Sequence, residues 1–178
     1  VSCWGSGSNQ QLGDGTAQRS RPSAVLGLSG VTAIAAGTGH TCVARSDGAT
    51  LCWGRNTFGA CGTGPLTDVR FPTVVGGIGG AARVSGGYLH SCAVGSDGTA
   101  RCWGAGFGGA LGDGTMTTSV SPVEVAEPVL RRREGNRREY AEHADEVIVS
   151  RPLGPESTER RYSLWILPYV RAPCANRR

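Results

Sequence analysis

One sentence of this chain is written twice. Residues 40–54 read HTCVARSDGATLCWG and residues 90–104 read HSCAVGSDGTARCWG. They agree at His, at both Cys, at Ser-Asp-Gly and at Trp-Gly, fifty residues apart. A fixed period of this length restricts the fold to architectures in which one small unit stacks on copies of itself. The CWG triplet marks the phase, with Trp4, Trp53 and Trp103 at steps of 49 and 50.

Each CWG opens a glycine-rich loop: GSGSNQQLGDGT, GRNTFGACGTG and GAGFGGALGDGT. After each loop comes a proline-led β-branched run: PSAVLGL at 22–28, FPTVVGGI at 71–78 and SPVEV at 121–125. Small-residue strands follow the first two, VTAIAAG at 31–37 and ARVSGG at 82–87. One period thus offers four strands, which for the second period are 72–75, 82–86, 90–95 and 99–103. Gly, Pro and Asp-Gly punctuate them as they punctuate hairpins. No stretch before residue 128 carries a 3.6-residue apolar period, so leucine-rich and helical repeats fit badly. Four short strands per repeat of this length is the pattern of a propeller blade.

IAAGTGHTC at 34–42 and VSGGYLHSC at 84–92 resemble the repeat signature of the regulator of chromosome condensation family. The CWG…LGDGT segments match the other half of that repeat, in its bacterial, Cys-containing form. The resemblance covers residues 1–127 and implies an all-β fold: a partial β-propeller of about two four-stranded antiparallel blades plus flanking strands. Family members are seven-bladed, so the 1–127 propeller region is incomplete by that standard, and the pattern stops after Val125.

The doubled unit is a hairpin. With Ser46-Asp47-Gly48 as a three-residue loop closed by a left-handed Gly, Val43 faces Leu51 and Cys42 faces Cys52. Ser96-Asp97-Gly98 likewise sets Cys92 opposite Cys102. Both pairs fall at non-hydrogen-bonded positions, where α-carbons approach closest and a cross-strand disulfide fits. Buried free thiols and a His-Cys-Cys zinc site remain as competing readings. H-x-C-x9-C is an unusual zinc spacing, and a fourth ligand is missing. The disulfide reading implies an oxidising compartment, extracellular or in the cell envelope. No basic-then-apolar leader is visible in this segment.

His40 and His90 recur with the architecture and are read as structural, each ring hydrogen-bonded to a neighbouring backbone group. Trp53 and Trp103, next to the cysteines and so on the opposite face, are read as packing between blades. Asp14 and Asp113 in LGDGT are read as Asp-Gly turns, since one carboxylate per loop supplies too few oxygens for calcium. Cys61 replaces the Leu12 and Leu111 of the other copies and is read as core. Cys3 stands at a second-Cys position with no first strand before it, which implies sequence upstream, and Cys174 has no partner in the pattern.

Two compositions meet near Pro128. Residues 1–127 hold 7 Arg against 7 acids and 27 of the 29 Gly, whereas residues 128–178 hold 11 Arg against 7 acids and the whole net charge of +4. The 128–178 segment is read as an irregular, Arg-rich tail, flexible or non-native, with a helix over 137–149. A nucleic-acid arm at RRREGNRR and a shifted reading frame are its other readings. Interleaved acids and missing stacking aromatics weigh against the arm. No apolar run reaches the roughly 18 residues of a membrane span.

The expectation is therefore a non-enzymatic scaffold that binds another protein through its loops, needing no cofactor or metal. The contact residues expected at exposed loop tips are Arg55, Asn56, Phe58, Tyr88, Leu89 and Phe107; filling gaps between blades is the other reading of these residues. A secreted propeller-type hydrolase inhibitor is the alternative, and the resemblance also implies nucleotide exchange on a small GTPase as a weaker one. Open blade faces add the expectation of self-association.

Overall fold

A computed structural model of the chain describes residues 1–126 and, of the C-terminal segment, the paired residues Cys174–Ala175. The readings for the rest of the tail (a helix over 137–149, a basic arm) lie outside the described residues. Apart from one 3-10 turn at Phe107–Gly109, the described elements are strands.

The strands are β1 (Ser2–Ser6), β2 (Gln18–Ala24), β3 (Val31–Ala36), β4 (His40–Arg45), β5 (Thr50–Gly54), β6 (Val69–Val74), β7 (Ala81–Gly86), β8 (His90–Gly95), β9 (Ala100–Gly104), β10 (Ser119–Glu124) and β11 (Cys174–Ala175). They form two four-stranded sheets, β3-β4-β5-β6 and β7-β8-β9-β10, each an antiparallel meander, and a three-stranded sheet ordered β11-β1-β2. This is a partial propeller of two complete blades and one incomplete one.

The hairpin register follows the sequence expectation residue for residue. Val43 pairs with Leu51 and Cys42 with Cys52, while Ala93 pairs with Arg101 and Cys92 with Cys102. Gly48 and Gly98 close the two turns at φ 85° and 79°. Asp47 and Asp97 each accept a backbone N–H two residues on, at 3.1 and 2.9 Å, which fixes the turn locally.

The blade boundary differs from the expected grouping. The proline-led run does not open a blade; β6 is the outer edge of the blade begun by β3, and β10 that of the blade begun by β7. Pro22, Pro72 and Pro122 lie in β2, β6 and β10, each the last strand of its sheet. Proline gives the ladder no N–H, so an edge is where a strand tolerates it.

Burial follows position in the stack. β4 is buried except for its last residue and β5 throughout, because the central blade is covered on both faces. Cys3, Leu12 and Val25 of the first blade pack against Val43, Leu51 and Trp53 of the second. Cys42, Ala44 and Cys52, on the second blade's other face, pack with Cys61, Val75 and Ala93 and Trp103 of the third. Trp53 and Trp103 thus each face the preceding blade, and the Cys42–Cys52 pair faces the following one. Trp53 and Trp103 are fully buried, and truncating such a ring to alanine costs about 3–5 kcal/mol.

Cys3 does not lack a partner, as its position in the pattern had implied. β11 runs antiparallel to β1 with Cys174 opposite Cys3 and Ala175 opposite Ser2, and Cys3 is disulfide-bonded. This is the position of β4 relative to β5, where Cys42 stands opposite Cys52. A strand from the far end of the chain therefore stands where the first blade would carry its His-x-Cys strand.

Candidate functional site

The topology gathers the loops. In each blade the turn joining the first two strands and the long loop joining the last two lie at the same end of the sheet. Backbone bonds tie them together: Arg55 N donates to Gly39 O at 2.7 Å and Ala105 N to Leu89 O at 2.9 Å. Arg55, Phe58, Tyr88, Leu89 and Phe107 consequently share one end of the assembly.

Phe58 and Phe107, from the long loops of successive blades, meet edge to face with centroids 5.4 Å apart and planes at 79°. Phe107 remains 60% exposed and Tyr88 66%, so these two rings present aromatic surface to solvent. Phe58, Leu89 and Arg55 are partly buried. Aromatic side chains held this way combine a large apolar area with little conformational freedom to lose.

Asn56 is a correction: its side chain is fully buried, not at an exposed tip. Its Oδ1 accepts the Cys61 N–H at 2.8 Å, and its Nδ2 donates to the Pro65 carbonyl and, at 3.3 Å, to Thr63 Oγ1. Its own N–H donates to Asp68 Oδ1 at 3.0 Å. The other two loops carry the acid of LGDGT instead. Asp14 accepts from Thr16 N and Oγ1 at 2.9 and 2.6 Å, and Asp113 from Thr115 N at 2.9 Å. The middle copy has Thr63 at that position, and Asn56 organises its loop from within. Burial pushes the Asp14 carboxyl up, but the Thr16 hydrogen bonds and the Arg19 guanidinium 2.7 Å away outweigh it and hold the group below its usual range.

The doubled His-Cys unit resolves into skeleton. Cys42–Cys52 and Cys92–Cys102 are disulfides with α-carbons 4.1 and 4.0 Å apart. Both sulfurs of each pair are thereby consumed, which overturns the zinc and free-thiol readings. Cys61 is a buried free thiol whose pKa burial pushes up to about 12, with the nearby Asp68 charge adding to the effect.

His40 Nε2 lies 2.8 Å from Ser91 Oγ, a side chain of the next blade, and the ring also has the backbone of His90 as a partner, the kind of partner expected. The Ser91 hydroxyl donates its single proton to Ala60 O at 2.8 Å, so His40 donates through Nε2–H. Burial, and then the positive charge His90 would carry, lower the His40 pKa to about 4. The imidazole is neutral and enclosed. A buried serine whose proton is committed to a carbonyl, beside a histidine that is itself the donor, is not a nucleophile–base pair.

The same carbonyls receive the tryptophans. Gln11 O accepts Trp53 Nε1 at 2.9 Å and Thr41 Oγ1 at 3.1 Å, and Ala60 O accepts Trp103 Nε1 at 2.9 Å together with Ser91. Thr41 and Ser91 occupy equivalent positions, one residue after the histidine. The loop thus serves two faces, seating the next blade's indole while presenting its own tip to solvent.

Family models for the regulator of chromosome condensation (RCC1) repeat match residues 1–44 and 47–94, and a second model of the same repeat matches residues 31–60. The chain belongs to the RCC1 repeat family. Solved structures agree on the fold. Yeast RCC1 (Prp20) bound to Kap60 superimposes with a TM-score of 0.63 at 24% identity, over 71% of this chain and 33% of that one. Saccharomyces cerevisiae Prp20p, described with its binding to Gsp1p and histones, gives 0.61 at 24% over 71% and 34%. Human WBSCR16 gives 0.62 at 25% over 70% and 34%. The chain spans about a third of the length of each of these neighbours.

The sequence placed Phe58, Tyr88, Leu89 and Phe107 at loop tips; the structure leaves Tyr88 and Phe107 exposed and Phe58 and Leu89 partly buried. Sequence reasoning missed the Asn56 clamp and the paired hydroxyls of Thr41 and Ser91. The signal for the latter was present: a Ser or Thr follows both His40 and His90.

Proposed function

We propose that this RCC1-repeat chain is a non-enzymatic protein-binding scaffold whose contact surface is the loop end of its blades. The observation that carries the reading is the Phe58–Phe107 edge contact across two blades, with Phe107 largely exposed beside the turn bearing Tyr88. Rigid blades hold the loops still, so little ordering entropy is lost on docking. Aromatic anchors of this kind dominate protein interfaces. The protein partners named for the yeast neighbours, Kap60 for one and Gsp1p and histones for the other, support a protein ligand as the class. Asn56 leaves the contact set and supports it from within. The two disulfides support an extracellular or cell-envelope setting.

The test is crosslinking capture from native extract with wild type, Phe107→Ser and Tyr88→Ser, each variant checked for its disulfides and circular dichroism. Partners captured by wild type and lost by both folded variants are expected. An identical partner set for all three forms rejects the loop surface.

A further inference from the structure

The loop end is not uniform along the stack. Arg55 and Ala105 hold equivalent places, since their N–H groups donate to Gly39 O and Leu89 O, each the residue before its blade's histidine. Large and small are exchanged between the two pairs. The third blade sets Leu89 against Ala105, and the second sets Gly39 against Arg55. A Cβ on Gly39 would lie 3.1 and 3.4 Å from Arg55 Cβ and Cδ, and 3.2 Å from Asn9 Nδ2 of the preceding loop. The missing side chain is what lets the Arg55 stem and the Asn9 amide lie across this turn.

The guanidinium at the end of that stem has no anion. Its Nε donates to Thr57 Oγ1 at 3.5 Å, and among the described residues Arg55 forms no ion pair. The acids of the loops are committed elsewhere: Asp14 to Thr16 and Arg19, Asp68 to the Asn56 N–H and Asp113 to Thr115. A guanidinium is always charged and offers only donors, so its complement is a carboxylate. Three residues further along the same loop, Phe58 meets Phe107.

Neither half of this surface owes its exposure to the end of the stack. Arg55 and Phe58 belong to the central blade, which has a neighbour on both sides. Thr38 and Thr57, the counterparts of Tyr88 and Phe107 on that blade, are exposed as well, with the third blade packed beside them.

We propose, resting on the loop end as the docking surface, that it takes a partner-protein segment in which a carboxylate is flanked by a large apolar side chain. The carboxylate meets Arg55 over the Gly39 turn, and the apolar side chain meets Phe107 and Tyr88. Arg and Tyr are among the side chains that carry most of the energy at protein contacts. A nucleic acid fits less well, because its backbone asks for a row of free cations. The other arginines against these loops are held, Arg19 by Asp14 at 2.7 Å and Arg70 by donating to Gly15 O at 3.2 Å.

A random-peptide phage library panned on the oxidised full chain tests this. Sequences enriched on wild type are expected to carry Asp or Glu close to Phe, Trp, Leu or Met. A synthetic peptide of the enriched sequence is then titrated by fluorescence polarisation. Arg55→Glu is expected to weaken its binding about tenfold or more, and to prefer the same peptide with its acid replaced by Lys. Arg55→Lys keeps the charge without the fork and is expected to fall between. Phe107→Ser is expected to weaken the acidic peptide without gaining the Lys one. Intact disulfides and unchanged circular dichroism certify each variant's fold. Enriched sequences without an acid, or a folded Arg55→Glu that binds as wild type does, overturn the proposal; binding that is still lost in Phe107→Ser then leaves the loop surface standing. Peptides indifferent to both Phe107→Ser and Arg55→Glu reject the loop surface itself. A library that yields nothing specific for wild type overturns the proposal too. So does a labelled single-stranded DNA that binds more tightly than the peptide and is lost in Arg55→Glu, which makes nucleic acid the occupant.

Discussion

His40 of the second blade donates its Nε2–H to Ser91 of the third across 2.8 Å, and Ser91 passes its own proton to Ala60 O. The relay joins two blades and the loop between them inside a buried seam. Ser91→Ala removes the side-chain acceptor of the imidazole N–H, and a buried donor that loses its partner costs about 1–3 kcal/mol. Ser91→Thr supplies the side chain that Thr41 uses in the equivalent place and should retain most of the stability. Urea denaturation of wild type and the two variants reads the difference. Equal midpoints for wild type and Ser91→Ala would show that the relay contributes nothing.

The same histidine sets a pH dependence. Its folded pKa of about 4 lies below its ordinary 6.5, so the unfolded chain binds the extra proton first. Stability is therefore fully present above pH 6.5 and is lost as pH falls toward 4, by about 3 kcal/mol from this group. The His90 pKa is also lowered by burial and acts in the same direction. Denaturation midpoints at about pH 7 and pH 4.5 should separate clearly for wild type and much less for His40→Gln, which keeps an N–H but does not titrate there. A slope unchanged in the variant assigns the effect elsewhere.

What the sequence could show depended on whether the determinant was local. The Cys42–Cys52 register was legible because an Asp-Gly turn and a period of two fix every pair in a hairpin. That Phe58 and Phe107 belong together was legible because they sit close to equivalent positions in the two loops; that Phe58 is partly buried was not. The blade boundary was not, since the run containing Pro72 looks the same whether it opens one sheet or closes another; only pairing with β5 decides. Asn56 read as an exposed loop polar residue because its acceptors and donors, from Cys61 to Asp68, come from a loop that folds back. Cys174 opposite Cys3 was beyond any local rule, being separated by nearly the whole chain.

The thiols should divide sharply by reactivity. Cys42, Cys52, Cys92 and Cys102 are oxidised, and Cys61 is buried with its pKa pushed up to about 12. Iodoacetamide is expected to leave all five unmodified in the native protein and to label Cys61 alone among them in denaturant without reductant. Peptide mass spectrometry gives the answer directly. Removing one bridge as the Cys42→Ala, Cys52→Ala pair should cost about 2–4 kcal/mol, through the freedom restored to the unfolded chain. Native labelling at any of the four bridge cysteines would refute the pairing.

Glycines of one backbone type should differ by what lies above them. Gly62 and Gly64 both have positive φ, at 65° and 90°, so an alanine at either is strained by about 1–2 kcal/mol. A Cβ at Gly64 meets nothing within 4 Å, whereas one at Gly62 lies 2.8 Å from both Trp103 Cδ1 and Val75 Cγ1. Trp103 cannot retreat, because its Nε1 is held by Ala60 O and its ring is fully enclosed. Gly62→Ala should therefore lose a further 1–3 kcal/mol or so from overpacking. It should also shift Trp103 fluorescence, while Gly64→Ala leaves the emission unchanged. Comparable losses from the two substitutions would mean that backbone strain alone explains both glycines, and that the indole seat is looser than its distances imply.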